Sequence, residues 1–536
     1  MQLETQKFDF TKVKTFVILG FAKTAITTAK FLLKNFPEAK IKISELKSKK
    51  SFDNEEIKNL EKQNIEFEFD KQSKEFVFNE DCFIVISPGI PPRVEIIQQI
   101  FHSNIPHGTD LDIFAASLSP EQNYVTVTGT NGKTTTTSLI SHIFNSPSLG
   151  NIGTPFLEFD SRHPVKQSFT SDVATQKIGI MKNHDSSKET IEQDTQSAKN
   201  YYPNFACEIS SFQAFYSQYF QDLKIPKISI FLNFTADHLD WHKDLNEYHD
   251  SKAKLFCQSS NEESFWLLNF DDPKVKNFGL KAELIKDSKT KICYFSNQDI
   301  SYALSKACPF VAYEKDNRLY LAQYLGDNPS IEEDTNGIVN TNNNDDYFLE
   351  MPLSKTEELM LVGKHNFSNI LAGCLASYLS GFDIDYIAES LTSFKPVPHR
   401  LEFIREIGTN KVYNDSKATN PDSTLKAMNS FDQSIVILGG KEKNLDLSPF
   451  LDSVSKKAYA VIAIGELKNK IHNRLREIGF DKVRMADSLE QALSIAILYA
   501  DNNPYPILLS PASSSFDMFK GFEDRGDQFK TLVTNY

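Results

Sequence analysis

Residues 124–138 read Tyr-Val-Thr-Val-Thr-Gly-Thr-Asn-Gly-Lys-Thr-Thr-Thr-Thr-Ser. Tyr124 to Val127 is a short β-branched and aromatic run of the kind that forms a buried strand. A turn with two glycines, Gly129 and Gly132, follows it. Leu139, Ile140, Ile143 and Phe144 then recur at helical spacing. Strand, glycine-rich loop and helix in this order let backbone N–H groups converge on a phosphate at the positive end of a helix. Lys133 can reach the outer phosphates as a point charge, and the Thr134 hydroxyl can ligate Mg²⁺. Val127 stands where the strict P-loop pattern has its first glycine, so the loop is a shorter variant. An ordinary β–α turn is the competing reading. Gly-Lys-Thr directly after an apolar strand favours nucleotide phosphates, with Gly129, Thr130, Asn131, Gly132, Lys133, Thr134 and Thr135 as the contact residues.

The rest of the chain repeats the alternation of strand and helix, which predicts an α/β fold. Its 536 residues are enough for three domains. Thr15–Gly20, a helical pattern through Phe36, and Ile41–Glu45 form a βαβ unit of Rossmann type. Its glycine fingerprint is incomplete, with Ala22 and Ala25 at the second and third positions, which disfavours an NAD dehydrogenase. Cys82–Ile86 adds a strand that runs into the rigid loop Ser87–Pro92. The expected domains are 1–111, Rossmann-like; 112–396, a P-loop-type ATPase domain with a mostly parallel sheet; and 397–536, again Rossmann-like. Two polar stretches, about 160–200 and 327–346, have too few large apolar groups for a core and read as mobile surface insertions.

Composition excludes several classes. The net charge of −13, without a basic cluster beyond Lys47–Lys50, argues against nucleic acid as the main ligand. Six scattered cysteines without a Cys-x-x-Cys read as free thiols of a reducing compartment. No signal peptide is visible after Met1, and no apolar run reaches the roughly 18 residues that would span a bilayer. The expectation is a cytoplasmic monomer without membrane insertion.

Further boxes follow in a fixed order: Gly150-Asn-Ile-Gly, Glu208-Ile-Ser-Ser-Phe-Gln, Asp237-His-Leu-Asp, Gly363-Lys-His-Asn, Pro398-His-Arg-Leu-Glu, Asn414-Asp-Ser-Lys-Ala-Thr-Asn-Pro and Ser510-Pro-Ala-Ser-Ser-Ser-Phe-Asp-Met-Phe-Lys-Gly-Phe-Glu-Asp-Arg-Gly. In this order they resemble the Mur ligases, ATP-dependent amide-bond ligases of peptidoglycan synthesis, and the second and the last two look like the branch that adds D-glutamate. The resemblance covers nearly the whole chain outside the two insertions. It implies ATP and Mg²⁺, with two metal sites, and UDP-N-acetylmuramoyl-L-alanine and D-glutamate as substrates, joined through an acyl phosphate. A folylpolyglutamate synthetase-like ligase and an ATP-controlled switch protein without ligase chemistry are the alternatives.

The resemblance also implies residue roles. Lys133, Glu208, His238 and Lys252 would be catalytic, and Thr134, Glu208, His238 and Lys252 would serve the metal. A hard oxygen at a strand end suits Glu208 to that task. Lys252 would be carbamylated by CO₂, with Lys254 as its rival two residues on. Asn366, Asn369, Arg400 and Asp415 would surround the nucleotide, although both asparagines could instead cap a helix. Asn151, Ser210 and Gln213 would meet the first substrate, and Lys23, Thr24, Glu45 and Gly89 its uridine end. Lys417, Thr419, Lys443, Ser515 and Phe522 would hold D-glutamate, with Lys441 as the alternative to Lys443.

Overall fold

The computed structural model describes residues 8–158, 204–239, 241–259, 262–282, 288–326, 337–341, 347–359, 361, 363–395, 398–442, 446–501 and 503–536. The insertion expected at 160–200, parts of the one at 327–346, the acid Asp240 and the glutamate-binding candidate Lys443 lie outside these residues.

Three sheets carry the architecture. The first joins β1 (Thr15–Leu19), β2 (Lys40–Ser44), β3 (Glu66–Glu68), β4 (Cys82–Ile86) and β5 (His107–Gly108) in the order β3-β2-β1-β4-β5, all parallel. β1 and β4 are buried along their whole length, as strands covered on both faces must be. The order reverses between β1 and β4, the place where open α/β sheets bind ligands.

The second sheet has ten strands: β6 (Asn123–Thr128), β7 (Ser148–Gly150), β8 (Asn204–Glu208), β9 (Ile228–Phe231), β10 (Ser264–Asn269), β11 (Thr290–Ser296), β12 (Phe310–Lys315), β13 (Arg318–Gly326), β14 (Ile338–Thr341) and β15 (Tyr347–Lys355). Their order is β14-β15-β13-β12-β11-β10-β9-β6-β8-β7. β7 through β12 pair in parallel, while β12 with β13 and β14 with β15 pair antiparallel. Part of the second polar stretch is thus sheet and not a mobile insertion, because Ile338–Thr341 pairs with Tyr347–Glu350. β6 lies between β8 and β9, so the ends of all three strands meet.

The third sheet comprises β16 (Glu402–Ile407), β17 (Asn410–Asn414), β18 (Ser434–Gly439), β19 (Ala458–Ile464), β20 (Val483–Met485) and β21 (Ile507–Leu509), in the order β16-β17-β21-β18-β19-β20. Only the β16–β17 pair is antiparallel. Val412, Ile435, Ile437, Ile462 and Leu509 fill one of its cores.

The chain divides into two compact units, 1–353 with 370–390 and 354–369 with 391–536. The first boundary expected from sequence, at Leu111, falls inside the helix Asp110–Ser117. That helix ties the first sheet to the second. One oxygen of buried Asp112 accepts the backbone N–H groups of Gln218, Tyr219 and Phe220 at 3.0, 2.7 and 2.9 Å.

Candidate functional site

The β6 strand ends at Thr128, and the helix Lys133–Phe144 begins at the lysine of the loop. Between them the loop is held from a strand one hundred residues away. Asn233, just past β9, accepts Asn131 N–H on its side-chain oxygen at 2.8 Å and returns a bond from Nδ2 to Asn131 O at 3.0 Å. Asn233 O also accepts Thr130 N–H. The Thr130 hydroxyl donates to Thr235 O and lies 3.2 Å from the Tyr248 hydroxyl. A Cβ at position 129 would come within 3.0 Å of the Leu232 side chain, so the loop passes close to the strand beside it.

Two lysines meet at one carbonyl. Lys133 Nζ donates to Gly129 O and Thr130 O, both at 2.9 Å, and Lys252 Nζ donates to Gly129 O, also at 2.9 Å. Lys252 comes from the helix Leu245–Ala253, is 1% exposed, and lies 4.5 Å from the centre of the Tyr248 ring. Burial, reinforced by the Lys133 charge, holds its amine well below the ordinary lysine value, with Asp237 and Glu208 opposing. Lys254 is no solvent-facing lysine either. Its Nζ donates to Phe215 O at 2.6 Å, which anchors the helix Ser211–Tyr216.

Glu208 ends β8 beside β6. It is 2% exposed; its Oε1 accepts Asn151 Nδ2 at 2.8 Å, while its Oε2 is buried without a hydrogen bond. Gly150 makes this approach possible. Its φ is +97°, and a Cβ there would lie 2.4 Å from Glu208 O. Asn151 is therefore a partner of the carboxylate as well as a substrate candidate. Among the described residues no group of three or more His, Cys, Asp or Glu side chains is arranged to hold a metal ion.

Ser210 and Gln213 form a reciprocal capping box at the start of the helix Ser211–Tyr216, so both side chains serve that helix. His238 adopts φ +55°, with its Nε2 3.7 Å from Asp237. His242, which sequence reasoning passed over, is buried between two helices: Nε2 lies 3.0 Å from Ser211 Oγ and Nδ1 3.5 Å from Glu247. Position alone does not separate it from His238 in Asp-His-Leu-Asp-Trp-His.

At the first sheet, Lys23, Glu45 and Gly89 follow the adjacent strands β1, β2 and β4. Lys23 lies 3.6 Å from Glu158, and Thr24 O accepts the Thr27 hydroxyl. The Glu45 carboxylate accepts Phe21 N–H and Lys47 N–H, each at 2.8 Å, and so orders the turn after β1. Gly89 has open space around it.

In the second unit, Asn369 Nδ2 donates to Asn366 Oδ1 at 3.2 Å inside the helix Lys364–Leu379, so neither residue is its N-cap. Asp415 follows β17 and accepts Leu401 N–H at 3.1 Å and the Ser510 hydroxyl at 2.6 Å. Burial pushes its carboxyl up to about 6, against Ser510 and Arg400. Arg400 has a buried Nε without a hydrogen bond and sits between His399 and Leu401, both in the left-handed region. Lys417 Nζ lies 5.2 Å from the centre of the Phe522 ring, and Thr419 N–H donates to Lys417 O. Ser515 Oγ is buried without a hydrogen bond. Four of the five glutamate candidates thus follow the ends of neighbouring strands, β17 and β21.

Family models match three consecutive segments: the MurD N-terminal domain at residues 15–96, the Mur ligase middle domain at 127–377, and the Mur ligase glutamate ligase domain at 399–512. The UDP-N-acetylmuramoylalanine–D-glutamate ligase of Thermoanaerobacter pseudethanolicus is 33% identical over 487 residues, covering 89% of both chains.

The chain belongs to the Mur ligase family.

A ligase of the same name from Pelotomaculum thermopropionicum is 30% identical over 535 residues, 98% of each chain. Solved structures show the Mur ligase fold across most of the chain. MurF from Acinetobacter baumannii superposes with a TM-score of 0.52 at 12% identity, covering 97% of this chain and 92% of that one. A pseudomurein peptide ligase type C from Methanothermus fervidus gives 0.51 at 16%, covering 97% and 99%. In this Mur ligase the loop-holding residue Asn233 had no motif signal of its own. The Asn233-Phe-Thr turn directly after an apolar strand was the only hint.

Proposed function

We propose that this Mur ligase joins D-glutamate to UDP-N-acetylmuramoyl-L-alanine with hydrolysis of ATP to ADP and phosphate. The observation that carries the reading is the convergence of Lys133 and Lys252 on Gly129 O beside the unpaired Glu208 oxygen, in a chain 33% identical to a ligase of that name.

A carboxylate is a poor acyl donor because its leaving group is oxide. Attack of the L-alanine carboxylate on the γ-phosphorus releases ADP and forms an acyl phosphate. The D-glutamate amine then attacks the carbonyl carbon, the C–O bond to phosphate breaks, and the amine proton goes to solvent. Lys133 and the N–H groups of the loop stabilise the charge that gathers on the phosphoryl oxygens. The loop needs a fixed shape for this, and Asn233 and Thr130 supply it.

Thr134 and Glu208 offer the hard oxygens that Mg²⁺ prefers, and so few protein ligands suit an ion that keeps phosphate and water in its shell. Bound there, Mg²⁺ would neutralise phosphate charge. Lys252 fits carbamylation, since burial and Lys133 favour the neutral amine that reacts with CO₂. A carbamate would turn a repelling ammonium into two oxygen donors. His238 is assigned to a second ion or to the sugar substrate.

By this reading the first sheet takes the uridine nucleotide, the second the ATP, and the third D-glutamate, through Lys417, Thr419, Ser515 and Phe522. Substrates activated with UDP and ATP place the reaction in the cytoplasm.

Phosphate release measured with each substrate omitted in turn tests the proposal. Release should require ATP, the UDP-sugar and D-glutamate together. Release that proceeds equally without D-glutamate would contradict it.

A further inference from the structure

Among the buried groups that the mechanism leaves unused is Arg525. It is fully buried, the fourth residue of the helix Phe522–Asn535. Its Nε donates to Ser416 Oγ at 2.9 Å; Nη2 donates to Ser416 O at 2.8 Å and to Ser513 O at 3.1 Å. Ser416 Oγ donates onward to Phe522 O at 2.8 Å. Nη1 is buried without a hydrogen bond. Burial pulls the guanidinium down to about 10, with Asp517 and Asp415 opposing.

The three segments that meet at this side chain are the ones that supply the glutamate candidates. Ser416 immediately precedes Lys417 and lies three residues before Thr419. Ser513 lies two residues before Ser515, and Phe522 opens the helix that carries Arg525 itself. A fourth segment, just past the end of β18, is drawn in. The Ser513 hydroxyl donates to Lys441 O at 2.6 Å and Lys441 N–H to Ser514 O at 2.8 Å. Gly440, with φ +142°, passes so close that a Cβ would lie 2.3 Å from Ser514 O and 3.3 Å from Arg525 Nη1.

We infer that Arg525 is a positioning residue for D-glutamate, which fixes the loops after β17 and β21 and the start of the last helix in the one arrangement that presents their donors to the amino acid. A guanidinium suits the task because its planar fork bonds several carbonyls in fixed directions, which an ammonium cannot do. Ser515 Oγ, itself buried and without a hydrogen bond, is the donor this framework holds in place. The inference rests on the reading of this chain as a D-glutamate ligase. It makes a narrower claim, that Arg525 acts on the second half-reaction and not on acyl phosphate formation.

Hydroxylamine separates the two. It attacks the acyl phosphate carbonyl through nitrogen, phosphate leaves, the nitrogen loses a proton, and a hydroxamate forms without D-glutamate. Wild type, Arg525→Lys and Ser416→Ala are compared in both reactions. Arg525→Lys should raise the KM for D-glutamate about tenfold or more, the equivalent of about 1.4 kcal/mol, while KM for ATP and the hydroxamate rate stay within about threefold. Ser416→Ala removes only the hydroxyl between Arg525 and Phe522 and should shift the same KM in the same direction by a smaller factor. If Arg525→Lys does not fold, Ser416→Ala decides the matter. An unchanged KM for D-glutamate, or a parallel fall of hydroxamate and amide formation, would overturn the inference. Failure of wild type to form either product would instead overturn the ligase reading.

Discussion

Replacing Lys252 with methionine should leave a protein that is at least as stable as wild type and almost inactive. The side chains have similar volume, so packing against Tyr248 survives. The change removes one hydrogen bond, to Gly129 O, worth about 1 kcal/mol net. It also removes a buried amine that shares a carbonyl with Lys133 and that burial deprives of its proton, and replacing a buried ionisable group by apolar atoms typically returns roughly 1–4 kcal/mol. The second effect wins, for a net gain of up to about 3 kcal/mol. The pH dependence has a definite sign. The folded amine titrates below its unfolded value of 10.5, so between the two the unfolded chain binds the extra proton. Wild-type stability in CO₂-free buffer should therefore rise as pH rises toward 10.5, and Lys252→Met should lack that slope. Turnover should fall by ~10²–10³, the usual loss when one charge-stabilising group is removed, and in Lys252→Ala, which vacates the oxygen site, acetate should restore part of it. Denaturant titration of both proteins from neutral to alkaline pH, with phosphate release alongside, checks both halves. A less stable Lys252→Met protein, or one with near-normal turnover, would refute the reasoning.

Lys133→Ala should also lose ~10²–10³ in turnover with an unchanged far-ultraviolet spectrum, and a folded variant that releases phosphate at the normal rate would count against the loop assignment. Asn233→Ala removes the two side-chain bonds to Asn131 N–H and O, a loss of about 2 kcal/mol in loop ordering, so the KM for ATP should rise roughly tenfold or more while the KM for D-glutamate does not. Lys254→Ala should lower the melting temperature through its lost bond to Phe215 O while keeping turnover within about threefold, and calorimetry with a steady-state assay distinguishes this from a catalytic role.

Local features of the fold and site were legible. Gly129-Thr-Asn-Gly-Lys-Thr after an apolar run marked the loop between β6 and the helix Lys133–Phe144, and Glu208 was visible as an acid at a strand end. β1, β4 and β19 were legible as short apolar runs between turn signals. The antiparallel edge β12 to β15 was not, because its strands mix polar and apolar residues and their identity depends on pairing partners. The roles of Asn233, His242 and Arg525 were equally hidden, although His242 lies two residues past the Asp237 box and Arg525 within the last one. Each acts on residues distant in sequence, Asn233 on Asn131 across 102 positions and Arg525 on Ser416 across 109. No local periodicity encodes such a bond. The reverse held for Ser210 and Gln213, whose motif is partly explained by the helix they cap.

The central claim concerns the amino acid that this chain accepts. A panel of D- and L-amino acids incubated with ATP, Mg²⁺ and UDP-N-acetylmuramoyl-L-alanine, with products identified by mass, tests it most directly. The account predicts one product, heavier than the UDP-sugar by a glutamyl residue and formed with D-glutamate only. A product with another amino acid instead, or ATP hydrolysis without any amide, would contradict it.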